Sequence, residues 1–190
     1  MKQVFLMGDS IRLGYEPFVR EYTKNQAVIH APKCNCEFLQ YTFRHIYMWR
    51  DEIENPNNID IVHWNNGLWD VLRLDNDQPL TPQDFYRDTL QRTVNRIHFL
   101  FPNASIIFAL STPVIERLSP EGLERRNSDI EIYNSIASEV MDKNKIVIND
   151  LYKVASAFPE TYHTDFTHFT EEGSRELAKA VVRAIGCVPQ

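Results

Sequence analysis

Three residues whose types could together cut an ester stand at opposite ends of this chain. Ser10 closes the stretch Gly8-Asp9-Ser10, and Asp165 and His168 lie three positions apart in DFTHFT at 165–170. A serine hydroxyl is a poor nucleophile until a base takes its proton, and the base needs a third group to fix its tautomer. In a turn, the Asp-x-x-His spacing brings a carboxylate to the Nδ1 side of the imidazole and leaves Nε2 to face the serine. A plainer reading makes Ser10 a helix N-cap, worth ~1 kcal/mol. The two roles are compatible, because a helix N-terminus also presents N–H donors to an anion. His163, Asp165 and His168 could alternatively be read as metal ligands, but no fourth ligand is evident and Ser10 is then unexplained.

Strands and helices must carry these residues to one place. The apolar runs KQVFLM (2–7), AVIH (27–30), DIVHWNN (60–66), ASIIFALS (104–111) and KIVIND (145–150) predict five short strands. Between them, residues 11–24 place Leu13, Phe18, Val19 and Tyr22 at helical spacing, with Pro17 predicting a late start or a bend. Residues 36–53 turn helical in their later part, and 81–100 predict a helix with Thr81 as N-cap and Pro82 at the first helical position. Two more helices are expected at 128–143 and 170–185, the last opened by Thr170. Strands alternating with helices imply an α/β fold with a five-stranded parallel sheet covered on both faces. Such sheets take ligands at the carboxyl ends of their strands. Ser10 follows the first strand, Asn65 and Asn66 end the third, and Ser111 ends the fourth.

The 190 residues, 43% hydrophobic and 24% charged, fit one domain spanning 1–190 with a sizeable core. Twenty Lys and Arg against 26 Asp and Glu give a formal charge of -6 with no basic block, which argues against a nucleic-acid partner. MKQVFLM is too short for a secretory signal or a bilayer span, so a soluble cytoplasmic chain with no membrane partner is expected. Cys34, Cys36 and Cys187 are too few for a disulfide framework or a four-ligand zinc site and read as reduced thiols. Arg117, Arg125 and Arg126 form a charged loop that could contact substrate, with surface solvation the plainer reading; His63 reads as a hydrogen-bonded core residue, and Arg12 and Tyr15 as either a helix face or a site lining.

VFLMGDSIRLGY resembles the first block of the SGNH, or GDSL-type, hydrolases, and DFTHFTEEG resembles their last, where Asp-x-x-His precedes the terminal helix. The resemblance runs over nearly the whole chain. It implies a flavodoxin-like three-layer sandwich, with Ser10 as nucleophile, His168 as base, Asp165 as its partner, and no metal or organic cofactor. The middle blocks depart from the pattern. Where the family has Gly-x-Asn-Asp, this chain runs Gly67-Leu68-Trp69-Asp70, so Trp69 stands at the asparagine that would donate to the oxyanion. Asn65, or else Asn66, is expected to supply that amide from a shifted position. The second block lacks its glycine in APKCNCEFLQYT, leaving a backbone N–H at Asn35 or Cys36. The expected oxyanion hole is therefore the N–H of Ser10, the N–H of Cys36 and the Asn65 amide. Asp9, Asn35, Trp64, Gly67, Trp69 and Phe166 are candidate substrate-binding residues, with Trp64, Trp69 and Phe166 as a platform for a sugar. The implied activity is a serine esterase or deacylase, forming an acyl-enzyme with a small acyl ester such as an O-acetylated carbohydrate. A lysophospholipase, a thioesterase and a binding module without turnover are the alternatives.

Overall fold

The computed structural model describes residues 1–75 and 77–187. In chain order its elements are β1 (Lys2–Met7), α1 (Ser10–Tyr22), β2 (Ala27–His30), α2 (Leu39–Asp51), β3 (Ile61–Trp64), β4 (Arg73–Leu74), α3 (Gln83–Leu100), β5 (Ser105–Ala109), β6 (Leu123–Glu124), α4 (Asn127–Lys143), β7 (Val147–Asn149), α5 (Leu151–Ser156) and α6 (Glu171–Ala184). The five expected strands form one parallel sheet in the order β2-β1-β3-β5-β7. Val4, Phe5, Leu6 and Met7 of β1 are all buried, as a strand covered on both faces requires.

The chain leaves β1 for β2 in one direction and returns past it to β3, β5 and β7 in the other. Because β-α-β crossovers are right-handed, α1 lies on one face and α2, α3 and α4 on the other. The helix contacts agree: α1 packs on α6 and α6 on α5, while α2 packs on α3 and α3 on α4. The reversal places a crevice at the carboxyl ends of β1 and β3. Met7 and Trp64 stand opposite each other at those ends, and the Asn65 N–H donates to the Met7 carbonyl at 3.2 Å, extending the ladder by one step.

Two details differ from expectation. Thr81 does not cap α3, which starts behind Pro82 with no side-chain cap. Its hydroxyl instead donates at 2.8 Å to the buried Asp70 carboxyl group, which holds the side chain away from the first N–H groups of α3. Helix α1 neither starts late nor breaks: it begins at Ser10 and runs through Pro17.

A second sheet was not foreseen. β4 and β6 pair antiparallel, Arg73 opposite Glu124 and Leu74 opposite Leu123. Two-residue strands are too short to show a period of two. A bidentate ion pair from Arg73 to Asp129, at 2.7 and 3.0 Å, pins this ribbon to α4. Among the described residues no helix is long and apolar enough to cross a membrane, and all three cysteines are free.

Candidate active site

Asp9, not Ser10, caps α1. The Asp9 Oδ1 accepts from the Ile11 N–H at 2.9 Å, which leaves the Ser10 hydroxyl for another partner. That partner is His168: Ser10 Oγ and His168 Nε2 are 2.8 Å apart. Asp165 Oδ2 lies 2.7 Å from His168 Nδ1, and Asp165 Oδ1 accepts from the N–H groups of Thr167 and His168 at 2.7 and 2.8 Å. With Nδ1–H directed at the carboxylate, Nε2 is the lone-pair nitrogen and the serine is the donor. Partial burial pulls the Asp165 carboxyl upward, but the His168 and Thr167 N–H groups and the imidazole outweigh it and hold it below the ordinary carboxylate range.

The loop carrying Asp165 and His168 is closed on itself. Thr164 N–H donates to the His168 carbonyl at 2.9 Å, Thr170 N–H to the Tyr162 carbonyl at 2.8 Å, and Ile115 N–H to the Phe166 carbonyl at 2.8 Å. Thr170 then caps α6 by accepting from the Gly173 N–H. His163 packs against the Phe169 ring, 4.5 Å between centroids. Among the described residues no group of three His, Cys, Asp or Glu side chains is placed to hold a metal ion.

The expected oxyanion donors fare unequally. The Ser10 N–H lies in the first turn of α1, where helix geometry provides no acceptor. The Cys36 N–H, expected to be free, donates to the Gly8 carbonyl at 3.1 Å. The second loop closes back on the nucleophile turn, and Arg12 holds it there. This fully buried guanidinium donates to the Cys34 carbonyl at 2.5 Å and pairs with Glu16 at 2.5 Å, so it is neither a solvated face nor a site wall. Asn35 turns inward on its own loop, its Oδ1 accepting from the Glu37 N–H at 2.8 Å.

Asn66 is engaged at both ends of its amide. Its Nδ2 donates to the Glu37 carbonyl at 2.7 Å and its Oδ1 accepts from the Trp64 indole at 2.6 Å. Asn65 donates one proton to the Ala109 carbonyl at 3.3 Å, which leaves the second amide proton unassigned. Gly67 adopts φ 154°, and a Cβ there would stand 2.3 Å from Ser111 Oγ, so only glycine fits.

Of the remaining candidate substrate residues, the structure places two beside Ser10. A cleft of about 240 Å³ is lined by Ser10, His168, Trp69, Phe166, Leu68 and Arg125. Trp64 is not part of it: the ring is fully buried and packs edge-on against Phe108, so it cannot form a sugar platform. Asp9 is also buried, and that burial raises its carboxyl above the ordinary range.

For Arg125 the plainer of the two sequence readings, solvation, does not hold. It is only 7% exposed and follows β6, with its guanidinium 5.9 Å from the Trp69 centroid and 5.4 Å from that of Phe166. The run ERR at 124–126 reads as solvated charge because nothing local announces that the β4–β6 ribbon turns its middle member inward.

A 2-1-3-4-5 order of the main-sheet strands, with Ser10 at a strand-to-helix turn and Asp165 and His168 on the loop before the last helix, is the fold of the GDSL-type hydrolases of known structure. The chain is similar to a lipase/acylhydrolase from Enterococcus faecalis (TM-score 0.77, 20% identity, covering 97% of this chain and 95% of that one). It is similar to an acetyl xylan esterase (TM-score 0.75, 20% identity, 96% and 99% covered). It also resembles a member of the lipolytic G-D-S-L family from Veillonella parvula (TM-score 0.69, 16% identity, 96% and 97% covered). No protein-family model matches the chain, and no curated protein matches it significantly.

Proposed function

We propose that this protein is a serine esterase that removes small acyl groups through an acyl-enzyme. The observation that carries the reading is the unbroken relay from Asp165 through His168 to Ser10, with contacts of 2.7 and 2.8 Å. Ser10 Oγ attacks the ester carbonyl while His168 Nε2 takes its proton. The imidazolium, held by Asp165, returns that proton to the leaving alkoxide as the C–O bond breaks. Water, deprotonated by the same nitrogen, then releases the acid and restores Ser10. The tetrahedral oxyanion is met by the Ser10 N–H and by the free amide proton of Asn65.

The small cleft favours a short acyl chain over a lipid tail, and its aromatic walls, Trp69 and Phe166, suit the face of a sugar. An O-acetylated carbohydrate is therefore the substrate class we assign. The acetyl xylan esterase among the fold neighbours supports that choice.

The test is hydrolysis of p-nitrophenyl acetate by the wild type, Ser10→Ala and Asp165→Asn, with labelling by a fluorophosphonate probe as a second readout. Ser10→Ala should lose roughly 10⁴–10⁶ in kcat and all labelling, and Asp165→Asn about 10⁴ in kcat. Undiminished turnover in Ser10→Ala would overturn the mechanism.

A further inference from the structure

Arg125 is 93% buried yet takes part in no ion pair among the described residues. Its Nε donates to the Leu68 carbonyl at 2.5 Å and its Nη1 makes a long contact, 3.5 Å, to Thr167 Oγ1. Among the described residues no hydrogen-bond acceptor serves Nη2. A desolvated guanidinium without a counter-ion is costly, and buried charges in proteins are ordinarily paired.

The two carboxylates that share its field are already occupied or out of reach. Asp165 is engaged by His168 and two N–H groups, and Asp9 caps α1 through one oxygen while the other has no hydrogen-bond partner. Apart from His168 and Arg125, the cleft wall is apolar or neutral, with Leu68, Leu72, Leu123, Trp69 and Phe166. One fixed cation in such a wall, beside the nucleophile, is the layout of a specificity group.

We propose that Arg125 receives a carboxylate of the ester substrate, so that the enzyme selects acidic esters over neutral ones. The inference rests on the esterase reading above. It leaves open whether the carboxylate belongs to the alcohol, as in an acetylated sugar acid, or to the acyl group, as in a succinyl ester. The Trp69 and Phe166 rings lie within 6 Å of the guanidinium and the Leu68 carbonyl holds its Nε, so the Nη2 side is left to meet a planar carboxylate. Sequence logic explains how it comes to be there: Arg125 is delivered by the β4–β6 ribbon, which the Arg73–Asp129 pair anchors.

The experiment compares kcat/KM of the wild type and Arg125→Met on two matched pairs. One is acetylated methyl glucuronoside against acetylated methyl glucoside; the other is mono-p-nitrophenyl succinate against p-nitrophenyl acetate. Binding of the two unacetylated methyl glycosides and of succinate to Ser10→Ala is measured alongside by calorimetry.

The expected result is a wild-type preference of roughly 10–100-fold for the charged member of one pair, the range of a buried charge-assisted hydrogen bond, with the preference lost in Arg125→Met. The pair that shows it identifies which side of the ester carries the carboxylate. If the wild type treats both members of both pairs alike, the proposal is overturned, and an equal loss on both in Arg125→Met would assign Arg125 to the oxyanion or to packing. If no ester is turned over but Ser10→Ala binds a carboxylate in an Arg125-dependent way, the esterase reading fails while the anion site stands. Absence of both turnover and binding would sink the two together. Should Arg125→Met fail to fold, the wild-type selectivity by itself decides.

Discussion

At the scale of single residues, the division of labour at the head of α1 is what makes chemistry available. Had Ser10 capped its own helix, its hydroxyl would be tied to a backbone N–H; Asp9 does that work, and Ser10 is released to His168. The two neighbouring asparagines part company in the same way. Asn65→Ala should lower kcat by roughly 10²–10³ with little change in melting temperature, as loss of an oxyanion donor does. Asn66→Ala should instead destabilise by about 1–3 kcal/mol, because it strands the buried Trp64 indole and the Glu37 carbonyl. Steady-state kinetics beside urea unfolding separates the two; a kinetic defect confined to Asn66→Ala would reverse the assignment.

At the scale of elements, the site is assembled by loops that are held from below. The segment between β2 and α2 has no regular structure, and Arg12 fastens it to α1 through the Cys34 carbonyl, with Glu16 balancing the charge. Breaking a buried pair by removing one partner is strongly destabilising. Arg12→Met should therefore cost about 3 kcal/mol and open residues 31–38 to limited proteolysis, which mass spectrometry of the fragments would locate. A full-length, protease-resistant Arg12→Met would show that the Cys36–Gly8 backbone bond suffices. Thr81 and Asp70 make a second fastening, linking the β3–α3 connection to the first turn of α2 through the Leu39 N–H.

For the whole molecule, two buried titratable groups set opposing pH responses. His63 lies in β3 with Asn149 as its neighbour, and burial pushes its pKa down to about 4. The unfolded chain takes that proton near 6.5 and the native state only near 4, so native stability is lost as pH falls through this window. Asp70 works the other way: burial raises it to about 7, the native state holds a proton that the unfolded chain has released, and stability is lost as pH rises from about 4 to about 7. Each proton contributes a slope of up to about 1.4 kcal/mol per pH unit. Urea unfolding between pH 4.5 and 6.5 should give a steeper fall with rising pH in His63→Gln than in the wild type, and a tilt toward a rise in Asp70→Asn. Identical profiles in all three proteins would contradict these assignments.

Most of the frame was legible in the residues themselves. Short apolar runs between helical periods dictate a parallel sheet, because strands buried on both faces carry no polar alternation. The Gly-Asp-Ser turn and the Asp-x-x-His spacing mark their own geometry, since a capped turn and a three-residue offset are local. What lay beyond reach was non-local. The pairing of β4 with β6 joins segments 49 positions apart at Leu74 and Leu123, and only that pairing turns Arg125 from a solvated charge into a buried one. The Cys36 N–H is taken up by the Gly8 carbonyl, and the Asn66 amide is held between the Glu37 carbonyl, which accepts from it, and the Trp64 indole, which donates to it. A residue's type says which bonds it can make; which bonds it does make depends on the neighbours that tertiary packing brings within 3 Å.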